Sequence, residues 1–230
     1  MPELVYYFVM DEKILSYIQL EKLFEERGFL LYLVGGTVRD YLLNKPLEDM
    51  DLVTDATPDE MKKFLTDADY TFSKFGSVKL KFNNTKFDIT TLRKEEGYSD
   101  FRHPNKICFT KSVKQDVFRR DITINALYMD KNLDVIDLVG GRKDIEKRII
   151  RMIGDPIKRI EEDPLRIIRI YRFKYETGFD IEKNLNTVLD DYFYKVNLLN
   201  KDKINQEIRK SHHQEELIQL LKTHGISLEK

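Results

Sequence analysis

Asp49 and Asp51 stand one residue apart in the segment Leu47 to Val53, with Met50 between them and Leu52 and Val53 after them. In a strand, successive side chains point to opposite faces, so both carboxylates share a face and Met50 points the other way. A strand with that pattern is buried on one side only, which commits the chain to a sheet with a covered apolar face. Two carboxylates this close repel unless a cation lies between them. Mg²⁺ is the natural choice, because it takes hard oxygen ligands from one or two carboxylates plus substrate phosphates. An isolated Asp-x-Asp also occurs in solvated turns. Gly35-Gly36 and Arg39 just upstream favour the metal reading, since the three features together suit phosphate chemistry.

The chain of 230 residues is long enough for one large domain or two small ones, and 41% hydrophobic residues argue against disorder. No apolar run approaches the roughly 18 residues of a membrane span, and Met1 to Met10 lack the basic start of a signal peptide. Cys108 is the only cysteine, so no intrachain disulfide forms and a reducing, cytoplasmic setting is expected. The net charge is -1, yet residues 142 to 174 hold eleven Lys or Arg against six acids. That basic stretch suits a polyanionic partner as well as it suits a solvated helix face.

Apolar periodicity predicts a helix over 11–27 ended by Gly28, and a strand over 29–34 broken by Gly35-Gly36. A short helix over 37–43 would take Thr37 as its N-cap. Thr57-Pro58-Asp59-Glu60 reads as a capping box with proline in the first turn. Residues 78–82 and 86–92 alternate as a hairpin around Asn83-Asn84, whereas 95–106 reads as a polar, mobile connection. A strand over 134–138 precedes Gly140-Gly141 and a helix. A helix over 163–175 stops at Gly178, and 184–230 carries helical signals alone. The fold class is therefore α+β: a head with a small mixed sheet over residues 1–150, followed by an all-helical neck over 151–230.

Several constellations carry chemistry. Gly35-Gly36 before a helix lets the backbone approach a phosphate closely, with Arg39 on the same side; an ordinary strand-to-helix turn uses the same residues. Asp88, in Phe87-Asp88-Ile89-Thr90, is a candidate third carboxylate, either as a base or as a metal ligand, or else a surface residue of the hairpin. Arg119-Arg120-Asp121 offers guanidinium groups for phosphate and an acceptor for ribose hydroxyls, or a helix-start salt bridge. Asp163, Arg166, Arg169 and Arg172 share one helix face. Three arginines there repel unless an anion or acids lie nearby, and Glu161 and Glu162 are the nearest acids in the chain. Asp163 beside Arg166 also imitates a base-pairing edge. It would accept from the exocyclic amine of C or A while Arg166 donates to the neighbouring ring nitrogen; uracil would leave the carboxylate unpaired.

The segments LVGGTVRDYLL, DMDLVTDATP, FDITTLR, EGYSDFRHP, RRDITINAL, DLVGGRKDI and EDPLRIIRIYRF occur in that order over about residues 30 to 180. Together they resemble the class II CCA-adding tRNA nucleotidyltransferases and bacterial poly(A) polymerases, within the DNA polymerase β-like nucleotidyltransferase superfamily. The resemblance implies that Asp49 and Asp51 bind Mg²⁺ and that Asp88 stands at the third carboxylate, where the family often has Glu. It implies that Gly36, Arg39, Arg120, Asp163, Arg166, Arg169 and Arg172 hold incoming ATP or CTP. Asp163 and Arg166 would select the base, Glu162 would steady Arg166, and Asp121 would read the ribose. The segment around Asp100, Arg102 and His103 would be the flexible loop that switches addition from C to A. The implied reaction is attack of an RNA 3′-hydroxyl, most naturally that of tRNA, on the α-phosphorus, with release of pyrophosphate. Poly(A), A-only or CC-only addition, transfer to a small molecule, and an inactive RNA-binding module are the alternatives. Family members continue into body and tail domains, so a homodimer or a helper protein is expected to grip the RNA here.

Overall fold

The computed structural model describes residues 11–98 and 104–228, with backbone alone at 96–98 and 104–106. The chain divides into two compact units, one formed by 1–92 with 128–136 and the other by 93–127 with 137–230.

The first unit contains α1 (Glu12–Glu25), β1 (Leu31–Val34), α2 (Gly36–Leu42), β2 (Met50–Thr54), α3 (Pro58–Met61), β3 (Ser77–Phe82) and β4 (Thr85–Thr91). The chain then passes through β5 (Arg93–Tyr98), β6 (Pro104–Phe109) and α4 (Val113–Asp116) of the second unit before returning as β7 (Leu127–Met129) and β8 (Val135–Asp137). The six-stranded sheet has the order β3-β4-β2-β1-β7-β8. Only β2 and β4 among its registered pairs run parallel; β1 is antiparallel to both β2 and β7, and β3 to β4.

Register gives this sheet two chemically distinct faces. Leu31 and Leu33 of β1, Met50 and Leu52 of β2, Phe87 and Ile89 of β4, and Val78 and Leu80 of β3 fall on one face, and all are buried. Helix α1 lies against β1 and buries Ile14, Tyr17, Leu20 and Phe24. The Tyr17 hydroxyl lies 3.0 Å from the Leu31 carbonyl and 3.2 Å from that of Met129, so the helix is tied to the sheet backbone as well as packed on it. The opposite face carries Asp51, Asp88, Lys79, Lys81 and Lys86.

Several local signals act as the sequence indicates. Asp11 caps α1, and Thr57 with Glu60 forms a complete capping box on α3. Asn83 and Asn84 both adopt positive φ between β3 and β4, which asparagine tolerates better than most residues. Two expectations are corrected. Residues 93–98 and 104–109, read as a polar connection in the middle of this range, are the paired strands β5 and β6, held by backbone pairing from Arg93↔Phe109 to Tyr98↔Pro104. Thr37 does not cap α2; Gly35 occupies that position, and the Thr37 hydroxyl is used elsewhere.

In the second unit follow α5 (Gly141–Lys147), β9 (Ile149–Ile150), α6 (Pro156–Glu162), α7 (Leu165–Thr177), β10 (Asp180–Ile181), α8 (Lys183–Tyr192), α9 (Lys201–Arg209) and α10 (Gln214–Thr223). Helix α7 packs on α6, α9 and α10, burying Ile167, Ile168 and Ile170 among apolar residues such as Ile204, Ile208, Leu217 and Leu221. The region after 151 is helical except for β10, which pairs in parallel with β9. Gly178 ends α7 in the left-handed region.

Asp137 accepts backbone hydrogen bonds from Val139, Gly140, Gly141 and Arg142, which sets the start of α5. Burial pushes its carboxyl up, but these four donors hold it below the usual carboxylate range. A Cβ on Gly141 would lie 2.3 Å from the Thr123 carbonyl oxygen, so glycine permits the close approach of α5 to that backbone. Gly141→Ala is expected to cost about 3 kcal/mol in urea unfolding. Gly28→Ala, where a Cβ meets nothing within 4 Å and only the positive φ is strained, should cost about 1 kcal/mol.

Candidate active site

In the first unit, backbone pairing assembles the carboxylates. Asp51 is half-buried on β2 and sits directly opposite Asp88 of β4, while exposed Asp49 immediately precedes the strand. Paired residues share a face, so Asp51 and Asp88 project together although they are distant in sequence. The Thr37 hydroxyl donates to the Asp49 carbonyl (3.0 Å) and accepts from the Asp51 amide (2.9 Å). This one side chain fixes the backbone that presents both aspartates, and it ties β2 to the first turn of α2. Lys79 of β3 approaches Asp88 at 3.6 Å.

Gly35 has φ 69 and ψ -131, a conformation that a side chain would strain, and it turns β1 into α2. Gly36 is the first helical residue; a Cβ there would make ordinary contact at 3.5 Å with the Arg39 guanidinium. Arg39 is buried and grips its neighbour Asp40, Nε to Oδ1 and Nη2 to Oδ2, both at 2.9 Å. Its guanidinium thus has a carboxylate partner within α2.

Among the described residues, no three His, Cys, Asp or Glu side chains converge closely enough to hold a metal ion by themselves. Asp49 and Asp51 offer only hard carboxylate oxygens on an accessible face. Such a donor set suits Mg²⁺ that takes its remaining ligands from substrate phosphates and water.

In the second unit, the arginines are matched one by one to acids. Asp116 is fully buried and accepts from the Arg93 amide, from Arg119 Nε at 2.8 Å and from Arg120. Burial raises its carboxyl, but the Arg119 and Arg120 charges overcome that and lower it to about 2. Arg159 donates to Glu162 and to the carbonyls of Arg119 and Arg120. Glu162 also accepts from Arg166 Nη1 at 3.0 Å, and Arg166 donates to the Arg159 carbonyl. Asp163 accepts from the Leu165 amide at the α6–α7 junction.

Asp121 is buried; one carboxylate oxygen takes the Ile122 amide and the other takes Arg169 Nε at 2.8 Å. Burial pushes its carboxyl up and the Arg169 charge pulls it further down, while Asp121 in turn holds Arg169 firmly protonated. Arg172 pairs with buried Glu207 of α9 at 2.9 Å and with Glu176. The acids expected to neutralise this helix face are therefore mostly others. Glu162 serves Arg166 alone of the three, Arg169 and Arg172 use Asp121, Glu207 and Glu176, and Glu161 lies 3.8 Å from Lys195.

A cavity of about 550 Å³ lies in this unit, lined by both cations and acids, including Arg119, Lys158, Arg159 and Glu162, with Phe118 at its edge. Its volume is within the usual range for small-molecule sites. Asp116, Arg159 and Glu207 were not singled out from sequence. The spacing of Asp116 three and four residues before Arg119 and Arg120 was a readable cue; Glu207 had none. Asp100, Arg102 and His103 lie outside the described residues.

Residues 31–151 match the family described as the poly A polymerase head domain. The CCA-adding enzyme of Leuconostoc citreum is 39% identical over 203 residues, covering 88% of this chain and 49% of that protein. The Bacillus stearothermophilus CCA-adding enzyme, solved in complex with CTP, aligns with a TM-score of 0.82 at 29% identity, over 92% of this chain and 52% of that one. A tRNA nucleotidyltransferase solved with a primer tRNA and an incoming ATP analog aligns with a TM-score of 0.71 at 28% identity, over 89% of this chain and 60% of that one. The chain spans about half the length of the curated relatives it matches.

The depressed Asp116 carboxyl gives a pH signature. Its folded value of about 2 lies below the ordinary 3.8, so its contribution to stability is complete above about pH 4 and is lost as pH falls through about 2. Asp116→Asn removes that contribution and leaves two guanidinium groups without their acid. It is expected to cost about 3 kcal/mol at neutral pH and to flatten the fall of the urea midpoint below pH 4.

Proposed function

The chain belongs to the poly A polymerase head domain family, and we propose that it is a template-independent RNA nucleotidyltransferase adding C and A from CTP and ATP to an RNA 3′ end. Completion or repair of the tRNA 3′-CCA end is the specific reaction, carried out in the cytoplasm. The observation that carries this reading is the carboxylate face of the sheet, with Asp51 and Asp88 in register and Asp49 held beside them by Thr37. The relatives named for CCA addition, and those solved with CTP or with tRNA and an ATP analog, support the choice of substrates.

Residues 1–150 act as the catalytic head and 151–230 as the nucleotide-selecting neck. Asp49 and Asp51 hold Mg²⁺, which when bound lowers the pKa of the attacking hydroxyl and offsets charge on the phosphates. Asp88 stands where it can accept the proton of the RNA 3′-hydroxyl or orient that hydroxyl. Gly35 and Gly36 leave room for phosphate oxygens near the α2 backbone, and Arg39 and Arg120 add positive charge toward the triphosphate. Asp163 and Arg166 read the Watson–Crick edge of C or A, with Arg166 steadied by Glu162; Asp121 addresses the ribose. Arg169 and Arg172, each held by its own acid, keep that helix face rigid and positive. Most of the rate comes from positioning and charge neutralisation rather than covalent chemistry. A second copy of the chain or a helper protein forms part of the RNA grip.

The test is incubation with each labelled nucleotide and with tRNAs lacking one, two or all three terminal residues. Ordered C, C, A addition supports the reading; an A-only ladder on any RNA would replace it with poly(A) synthesis, which the family description also names. Asp49→Ala or Asp51→Ala is expected to lower incorporation by at least about 100-fold with unchanged thermal unfolding. Arg166→Ala is expected to relax the preference for C and A over U by about tenfold or more. Unchanged selectivity in a folded variant removes the base-reading role.

A further inference from the structure

The carboxylate face of the sheet also bears three exposed lysines that the catalytic reading does not use. Lys79 and Lys81 lie two residues apart on β3, and Lys86 lies two residues before Asp88 on β4. Register places Lys79 opposite Asp88 and Lys81 opposite Lys86, so all three project on the side that carries Asp51. Lys79 has the Asp88 carboxylate as partner. Lys81 and Lys86 face each other directly, and among the described residues no acid pairs with either. Like charges directly opposite on neighbouring strands are destabilising, so the bare protein carries an unfavourable contact on a face where Thr, Glu or Gln would fit equally well. A bound anion turns that contact into an attraction.

Position indicates which anion. Gly35, Gly36 and α2 follow β1 on one side of β2, whereas β4 and then β3 lie on the other. The carboxylates therefore separate a glycine turn suited to the triphosphate from a lysine lane that runs to the sheet edge. The lane lies about one to two strand spacings, roughly 5 to 10 Å, from β2, beyond the carboxylates and away from that turn. Its lysines are spaced by about 7 Å along a strand, a step comparable with that between successive phosphates of a nucleic-acid chain.

We propose that Lys81 and Lys86 bind backbone phosphates of the RNA strand whose 3′ end is extended, and so position that strand toward Asp88. The proposal rests on the RNA reading above but names a surface, not a reaction. It also gives a signature that a structural role cannot produce. Lys81→Glu replaces the repulsion with an opposite-charge pair to Lys86, so it stabilises the hairpin while it removes an RNA contact.

The test measures affinity for a fluorescent single-stranded RNA probe by anisotropy across a salt series, alongside thermal unfolding. For Lys81→Glu and for Lys81→Ala/Lys86→Ala, the expected result is a rise in Kd of about tenfold. The slope of log affinity against log salt should fall by about one per lysine removed, with an unfolding midpoint equal to or above that of the parent. In turnover, KM for RNA rises while KM for CTP and ATP stays within twofold. Unchanged RNA affinity and salt slope would overturn the proposal, and so would an equal rise in the nucleotide KM, which would assign the lysines to triphosphate or pyrophosphate. Because binding is read without turnover, loss of RNA affinity in these variants stands even if the parent adds no nucleotide, and that failure would count against the reaction alone.

Discussion

A guanidinium cannot be buried without an acid, and the second unit is built around that requirement. Arg166 is 5% exposed and Asp116 is not exposed at all, so neither could be present without its partners. The cost of an unpaired buried charge is several kcal/mol, comparable with the whole stability of a domain. Each pair therefore acts as a distance constraint. Asp116 with Arg119 and Arg120 fixes the end of α4, Arg159 with Glu162 and Arg166 fixes α6 on α7, Asp121 with Arg169 fixes the 121–123 segment on α7, and Glu207 with Arg172 fixes α9 on α7. The apolar contacts of Ile167, Ile168 and Ile170 supply burial, but they would tolerate rotation of α7 that the ion pairs forbid.

The first unit solves a different problem. Its sheet buries one face completely and leaves the other for charge, and the alternation of Lys-Leu-Lys in β3 and Lys-Phe-Asp in β4 is the same pattern as Asp-Met-Asp at the start of β2. A one-residue slip in any of these strands would drive lysine or aspartate into the core, so the register that protects the core also sets the carboxylate spacing. Thr37 adds a second lock at the one aspartate, Asp49, that precedes the strand.

Features encoded within a few residues were legible in the sequence. The Thr57 capping box, the Asn83-Asn84 turn and the Gly178 stop each depend on neighbours in the chain. What escaped reading depends on partners far away. Strands β5 and β6 alternate little in hydrophobicity and owe their shape to each other's backbone. Thr37 looked like a helix cap because Ser and Thr favour that place, yet the preceding glycine already turns the chain and its hydroxyl is taken by β2. The arginines of α7 were visible as a charged face, but their acids come from residues 121 and 207, which no local pattern announces. The juxtaposition of Asp51 with Asp88 followed only from the sheet register.

The path of the chain through the sheet has a consequence for how the site comes into being. Strand β2 pairs with β1 nearby, but its other neighbour, β4, runs parallel to it and must be reached by a crossover, and β1 waits for β7 to pair Leu33 with Met129. These are contacts of long sequence separation, which close slowly because chain entropy is lost before pairing compensates. On a ribosome, the central strand of the sheet stays without its second neighbour until residues near 129 have been made. The carboxylate face thus matures as a late, all-or-none event of folding, and a nascent or partly unfolded chain presents its aspartates without their spacing.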